Sequence, residues 1–250
     1  MPKIDFSIIL PCHNEAGILE DSVLRIADVC KKVKLNFEII IMEDGSTDDT
    51  KEIGEKLAKK HKFIRFYHHD FKLGRGRAVM EGIKKSHGFA AGFIDADLQT
   101  PPEFLINCYN LIKEGNGAVQ PLRYYKDFFN KRAFLSVCYR KLFKRLLRTT
   151  IEDPAVGCKF FNKEKILKIS PKIKDTKWFW DSEVILISQY EGLKVKEFPS
   201  YFLDTYNKEN RKSKARIFKD TIELFTGMLK LRSRIKREYP EDFRKGKWKN

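Results

Sequence analysis

Four short apolar runs, separated by helical stretches, constrain this chain more than any other feature. They are Phe6-Ser7-Ile8-Ile9-Leu10, Phe37-Glu38-Ile39-Ile40-Ile41-Met42, Phe63-Ile64-Arg65-Phe66-Tyr67 and Phe89-Ala90-Ala91-Gly92-Phe93-Ile94. Helical patterns near 16–34, 47–61 and 75–87 lie between them. Nearly continuous apolar strands that alternate with helices predict a parallel sheet buried under helices on both faces. The length of 250 residues suits one large domain, or one domain with an appendage. With 42% hydrophobic and 34% charged residues the chain is globular rather than disordered.

Sheets of this kind bind ligands beyond the carboxyl ends of their strands. After the first run comes Pro11-Cys12-His13-Asn14-Glu15. After the second comes Glu43-Asp44-Gly45-Ser46-Thr47-Asp48-Asp49-Thr50, and after the fourth Asp95-Ala96-Asp97-Leu98-Gln99. The three polar clusters therefore converge on one edge. Asp95 and Asp97, one residue apart with Gln99 beyond, supply hard oxygen donors for Mg²⁺ or Mn²⁺. A competing role for the same acids is to favour the start of a helix near Pro101. Asp44 offers a carboxylate to a base or ribose, Ser46 or Thr47 suits a helix N-cap, and Asp48 reads as a capping acid. Gly74-Arg75-Gly76-Arg77-Ala78 opens a helix where the backbone can approach a phosphate, although a simple turn has the same composition.

Charge divides the chain. Residues 1–120 hold 17 Lys and Arg against 18 Asp and Glu, whereas residues 121–250 hold 33 against 16. A basic half implies an anionic partner, or a merely solvated lysine-rich surface. The five cysteines are scattered and form no C-x-x-C pair, which fits reduced thiols. No apolar stretch reaches the length of a membrane span, and the N-terminus does not read as a signal peptide. Residues 128–148 are helical in composition without a clean apolar face, whereas 215–231 form an amphipathic helix. The basic tail from Arg232 is expected to be mobile.

The ordered set P-C-H-N-E, E-D-G-S-T-D-D-T, G-R-G-R-A and D-A-D-L-Q-T-P-P-E resembles the large inverting GT-A glycosyltransferase family. Its last member is especially similar to dolichyl-phosphate mannose synthases and their polyprenyl-phosphate relatives. The resemblance covers residues 5–215. It implies an α/β fold with a nucleotide-sugar-binding, Rossmann-like mixed sheet flanked by helices. Residues 1–214 would form the catalytic domain, and 215–250 an amphipathic helix and basic tail with possible membrane-surface contact. It further implies that Asp95, Asp97 and Gln99 hold the metal, and that Pro11, His13, Glu15, Asp44 and Ala96 line the nucleotide site. Arg123 matches the arginine of an S-R-Y segment, and Lys214 the lysine of an S-K pair, as cations facing the leaving diphosphate. Arg132 and Ser136, four apart and so on one helix face, match a pair that grips an acceptor phosphate. The sequence departs from the family at His13, Glu43 and Val156, where tyrosine, aspartate and serine are common.

The activity so implied is transfer of a mannose- or glucose-type hexose from a GDP- or UDP-sugar to dolichyl or polyprenyl phosphate. The enzyme would lie peripherally on the anionic cytoplasmic face of a membrane. A phosphate acceptor needs no strong base, whereas a hydroxyl acceptor would need a carboxylate. Asp181 is the outside candidate for that base, and Glu183 reads as structural. The alternatives are a hydroxyl-acceptor glycosyltransferase, a nucleotidyltransferase, and a non-catalytic binder of nucleic acid or anionic membrane. The chain lacks an evident aromatic platform for single strands, so no nucleic-acid partner is expected.

Overall fold

The computed structural model describes residues 4–124, 131–201 and 217–246, with the side chains of 131–134 and 217–222 outside that description. The apolar runs form β1 (Phe6–Cys12), β2 (Phe37–Asp44), β3 (Ile64–His69) and β4 (Ala90–Ile94). The intervening stretches form α1 (Leu19–Lys32), α2 (Thr50–Lys60) and α3 (Arg75–Lys85). Then follow α4 (Phe104–Lys113), β5 (Ala118–Tyr124), α5 (Lys131–Leu147), β6 (Cys158–Asn162) and α6 (Lys163–Ile169). A 3₁₀ turn at Ser170–Lys172 leads to α7 (Trp180–Tyr190), β7 (Val195–Tyr201), α8 (Ile217–Glu238) and α9 (Pro240–Lys245).

The strands make one mixed sheet in the order β3-β2-β1-β4-β6-β5-β7. β1 pairs in parallel with β2 and β4, β2 with β3, and β5 with β7. β6 alone runs against its neighbours, β4 and β5. Six carboxyl ends therefore share one edge, and the amino end of β6 joins them there. That topology places the loops after β1, β2 and β4, and the carboxyl end of β5, beside the turn that leads into β6.

Apolar side chains bury both faces of the sheet. On one, Phe6, Ile8, Leu10, Ile39 and Ile41 pack with α1 and α4 through Val23, Ile26, Leu105 and Cys108. On the other, Ile9, Ile40, Met42 and Phe93 pack with α3, α5 and α7 through Val79, Ile83, Phe143, Trp180 and Val184. The second cluster also takes in Met228, Leu231 and Ile235 of α8 and Phe243 of α9. The chain beyond Arg232, read from sequence as a mobile tail, is thus helical and packed as far as residue 245. The physical reason is that Ile235 and Phe243 continue the apolar side of the helix, and Arg234 pairs with buried Glu183 at 2.5 Å. None of the described helices is long and apolar enough to cross a membrane.

Candidate active site

The loops after β1 and β2 are laced together by side chains reaching backbone N–H groups. His13 Nδ1 lies 2.9 Å from the Asp44 carbonyl oxygen. Asn14, with φ at +57°, donates its N–H to Ser46 Oγ and accepts from the Thr47 N–H through Oδ1, both at 2.8 Å. The Glu15 N–H donates to Thr50 Oγ1 at 2.8 Å. Ser46 and Thr47 therefore tether the first loop and do not cap α2, which begins at Thr50. Asp48 does serve the helix start, accepting from the Thr50 N–H at 3.1 Å and from the Ala16 N–H at 3.2 Å. Glu43, in place of the family's usual aspartate, is fully buried and takes the Ser46 N–H and the His68 ring.

Asp44 is also buried, and both its oxygens accept backbone N–H groups, from Leu73 at 2.7 Å and Gly74 at 3.0 Å. It thereby fixes the approach to α3. Gly74 stands at φ +107°, a conformation that L side chains rarely adopt, just before the first turn of that helix. Gly76 serves packing: a Cβ there would come within 2.3 Å of the Trp180 ring. Its missing side chain makes room for an indole, not for a ligand, which narrows the phosphate-approach reading of this glycine pair to Gly74.

Asp95 follows β4, and its N–H donates to the Gly157 carbonyl at 2.9 Å. Its Oδ1 accepts from Arg75 at 2.5 Å, while the other arm of that guanidinium pairs with buried Asp181. Arg75 is sandwiched between the rings of Phe93 (4.9 Å) and Trp178 (5.2 Å). Burial opposes its charge, but Asp181 and Asp95 hold its pKa above the usual guanidinium value. Burial raises the Asp95 carboxyl against the pull of Arg75, and the charges of Asp97 and Asp181 raise it further, to about 7. Ala96 is buried, and its carbonyl accepts from Ser22 Oγ. Asp97 Oδ1 accepts the Gln99 N–H at 3.2 Å across a turn in which Leu98 has φ +49°.

These residues fit a divalent ion. The charge of Asp97 raises the Asp95 carboxyl, a cost that a cation between them would relieve. Gln99 is buried, and its Nε2 has no hydrogen-bond partner among the described residues. No group of three His, Cys, Asp or Glu placed to hold a metal ion forms among the described residues. The chain therefore offers two carboxylates and an amide, leaving positions for phosphate oxygens and water, as Mg²⁺ commonly keeps.

A second charged cluster adjoins the first. Asp153 is buried, and Arg123 forks onto both its oxygens at 2.7 Å, while Arg140 adds a bond at 2.6 Å. Against burial, Arg123, Arg140 and Lys159 hold Asp153 below the ordinary carboxylate range. Arg123 sits at the carboxyl end of β5, on the same edge as the paired acids. Lys159, fully buried in β6, donates to the Val156 carbonyl at 2.6 Å, and burial brings its pKa down to about 8. Ser136 is on α5, half-buried, whereas the Arg132 side chain and Lys214 lie outside the described residues. Glu183 accepts the N–H groups of Lys174 and Asp175 besides Arg234, so it anchors a loop and α8, as its structural reading expects.

Arg75, Arg140, Asp153 and Lys159 were not among the residues that sequence reasoning assigned to the site. Lys159 carries a usable signal, a single lysine within the apolar run Cys158–Phe161. Arg75 lies in the G-R-G-R-A segment and Asp153 in Asp153-Pro154-Ala155-Val156-Gly157, which resembles the family's D-P-x-S-G turn, but neither segment shows which charge its side chain meets; Arg140 shows no local pattern.

A mixed seven-stranded sheet flanked by helices, with paired acids at the end of its central β4, defines a GT-A fold of the glycosyltransferase type. Residues 7–169 match Glycosyl transferase family 2, and the chain belongs to that family. It is 32% identical over 203 residues to Glycosyltransferase AglD of Haloferax volcanii, covering 78% of this chain and 32% of that one. It is 26% identical over 223 residues to the dolichyl-phosphate beta-glucosyltransferase of Saccharomyces cerevisiae, covering 79% and 66%. The chain thus spans about a third of the first relative and just under two thirds of the second. Among solved structures, glucosyl-3-phosphoglycerate synthase from Mycobacterium tuberculosis, in complex with Mn²⁺, UDP and glucosyl-3-phosphoglycerate, superposes with a TM-score of 0.66. That pair is 20% identical, and the match covers 91% of this chain and 79% of that one, a likeness of fold.

Proposed function

We propose that this chain moves a hexose from a GDP- or UDP-sugar to a polyprenyl or dolichyl phosphate, with inversion at the anomeric carbon. The observation that carries the reading is the commitment of both candidate bases. Asp181 is paired with Arg75, and Glu183 with two backbone N–H groups and Arg234. A phosphate acceptor is already largely ionised near neutral pH, with its second pKa about 6, and needs no such base. The relatives' names, which include a dolichyl-phosphate glucosyltransferase, support the same acceptor class.

In this reading Pro11, His13, Glu15, Asp44 and Ala96 line the nucleotide site, and Asp95, Asp97 and Gln99 hold Mg²⁺ or Mn²⁺. When bound, the ion supplies charge that stabilises the departing diphosphate. Arg123 and Lys214 face the same developing charge, and Arg132 with Ser136 holds the acceptor phosphate for in-line approach. Asp95, now paired with Arg75, would hold the ion instead, and Arg75 would keep its pair with Asp181. The basic second half holds the protein peripherally on an anionic cytoplasmic leaflet, at about 1 kcal/mol per Lys or Arg near the surface. The amphipathic segment at 215–250 is the part proposed to touch it.

One observation favours a second reading, transfer to a hydroxyl. Asp181 Oδ1 is buried with no hydrogen-bond partner among the described residues, a position from which it could accept a proton. A panel of labelled UDP- and GDP-hexoses, incubated with dolichyl phosphate with and without Mg²⁺ or Mn²⁺, separates the two. The first reading expects a metal-dependent glycolipid that Asp97→Ala abolishes. Bound donor with no glycolipid, and sugar transferred instead to a hydroxyl, would replace it with the second.

A further inference from the structure

Lys159 is the one described lysine whose side chain is fully buried. It lies in β6 among Cys158, Phe160 and Phe161, with its ammonium 5.9 Å from the Phe93 ring centre. A buried ammonium is unfavourable unless its neighbours compensate it. The carboxylates whose charges reach it, Asp181 and Asp153, are already held by Arg75 and by Arg123 with Arg140. Its hydrogen bond goes instead to the backbone, at the Val156 carbonyl. Val156 belongs to the turn that Asp153 anchors at one end and Gly157 closes at the other.

Gly157 is where that turn meets the paired acids. Its carbonyl accepts the Asp95 N–H at 2.9 Å, and a Cβ on Gly157 would lie 2.0 Å from Asp95 Oδ2. No side chain larger than hydrogen fits without moving the carboxylate. The chain of contact from ammonium to carboxylate is short: Nζ to the Val156 carbonyl, along one peptide to Gly157, then onto Asp95.

We propose that Lys159 is a positioning residue for the metal-binding carboxylate. It fixes the Val156–Gly157 peptide, and that peptide sets the direction in which Asp95 presents its oxygens. The proposal rests on the reading of Asp95 and Asp97 as metal ligands. A lysine that only stabilised the core would change the melting temperature and leave metal affinity untouched.

The test is Mn²⁺ binding to the full chain, read from the electron paramagnetic resonance signal of free Mn²⁺, with UDP and, separately, with GDP present. Lys159→Met is expected to weaken Mn²⁺ binding about tenfold, within the range usual for residues that orient metal ligands. Nucleotide affinity in EDTA should stay at the wild-type value, and Lys159→Arg should recover part of the loss. A folded Lys159→Met protein that binds Mn²⁺ like wild type overturns the proposal. If that variant fails to fold, Gly157→Ala carries the test, because the route runs through its contact with Asp95. Wild-type Mn²⁺ affinity in Gly157→Ala overturns the proposal equally. Asp97→Ala separates the two layers: if it too binds Mn²⁺ like wild type, the metal reading falls and takes this inference with it.

Discussion

Asp153 has no exposed side-chain surface and accepts from two arginines, so its charge is compensated within the fold and nowhere else. Removing one partner of such a group leaves the others buried and uncompensated. Asp153→Asn should therefore destabilise the protein by about 3 kcal/mol at neutral pH. The sign of its pH dependence follows from the depressed folded pKa. Above the ordinary value of 3.8 the carboxylate is ionised in both states and its stabilisation is fully present. As pH falls from there through the lower folded value, the native state must take up a proton and the stabilisation is lost. Urea denaturation from pH 7 downward should show a constant gap between wild type and Asp153→Asn that narrows only below pH 4; a gap that narrows between pH 7 and pH 5 would rule this out. The paired acids were legible in sequence because D-x-D after an apolar run is a local pattern. Their partners were not, because Arg75 meets Asp95 across 20 positions and Asp181 across 106. Such pairs arise from topology, and Gly74-Arg75-Gly76 gives no local sign that the guanidinium turns inward.

Elements were legible in proportion to how continuous their burial is. β1, β2 and β4 are buried at nearly every position, so they stand out as unbroken apolar runs. β6 is as deeply buried, yet it carries Lys159 at its second position and is only five residues long, which hides it among loops. α8 shows a different failure. Its apolar side was read as ending at Leu231, because Arg232, Arg234, Lys236 and Arg237 crowd the continuation. In the fold those cations are spread around Ile235: Arg232 donates to the Leu146 carbonyl and Arg234 to Glu183, while Lys236 and Arg237 face solvent. The helix is thus joined to the second core cluster through Met228, Leu231 and Ile235. Ile235→Ala should cost about 2–5 kcal/mol in chemical denaturation, as for other truncated core side chains. Lys230→Ala, on the exposed face, should stay within about 0.5 kcal/mol. If Ile235→Ala were as mild as Lys230→Ala, α8 would not be part of the cooperative unit and the basic end would behave as a separate appendage.

For the whole molecule, charge and sheet polarity bear on the same question of where the protein works. The half from residue 121 onward carries a net +17 against −1 for the rest, more than the whole of the chain's +16. Its exposed face on α8 sets Phe225 and Leu229, 43% and 44% exposed and one helical turn apart, before Lys230, Lys236 and Arg237. Trp178, half exposed, lies beside Phe179, against which Gly227 of the same helix packs. Apolar tips followed by cations suit an interface between acyl chains and anionic headgroups. The two contributions separate by salt. Screening shortens from about 8 Å at physiological ionic strength to about 3 Å at 1 M, which weakens attraction to headgroups and leaves apolar insertion intact. Sedimentation with vesicles should therefore show binding to phosphatidylserine-containing membranes that drops in 1 M salt without vanishing. Phe225→Ser with Leu229→Ser should abolish the salt-resistant remainder and leave the salt-sensitive part. Equal binding to neutral and anionic vesicles would remove the electrostatic account of the basic half. Complete loss in salt by the wild-type protein would confine the contact to charge alone.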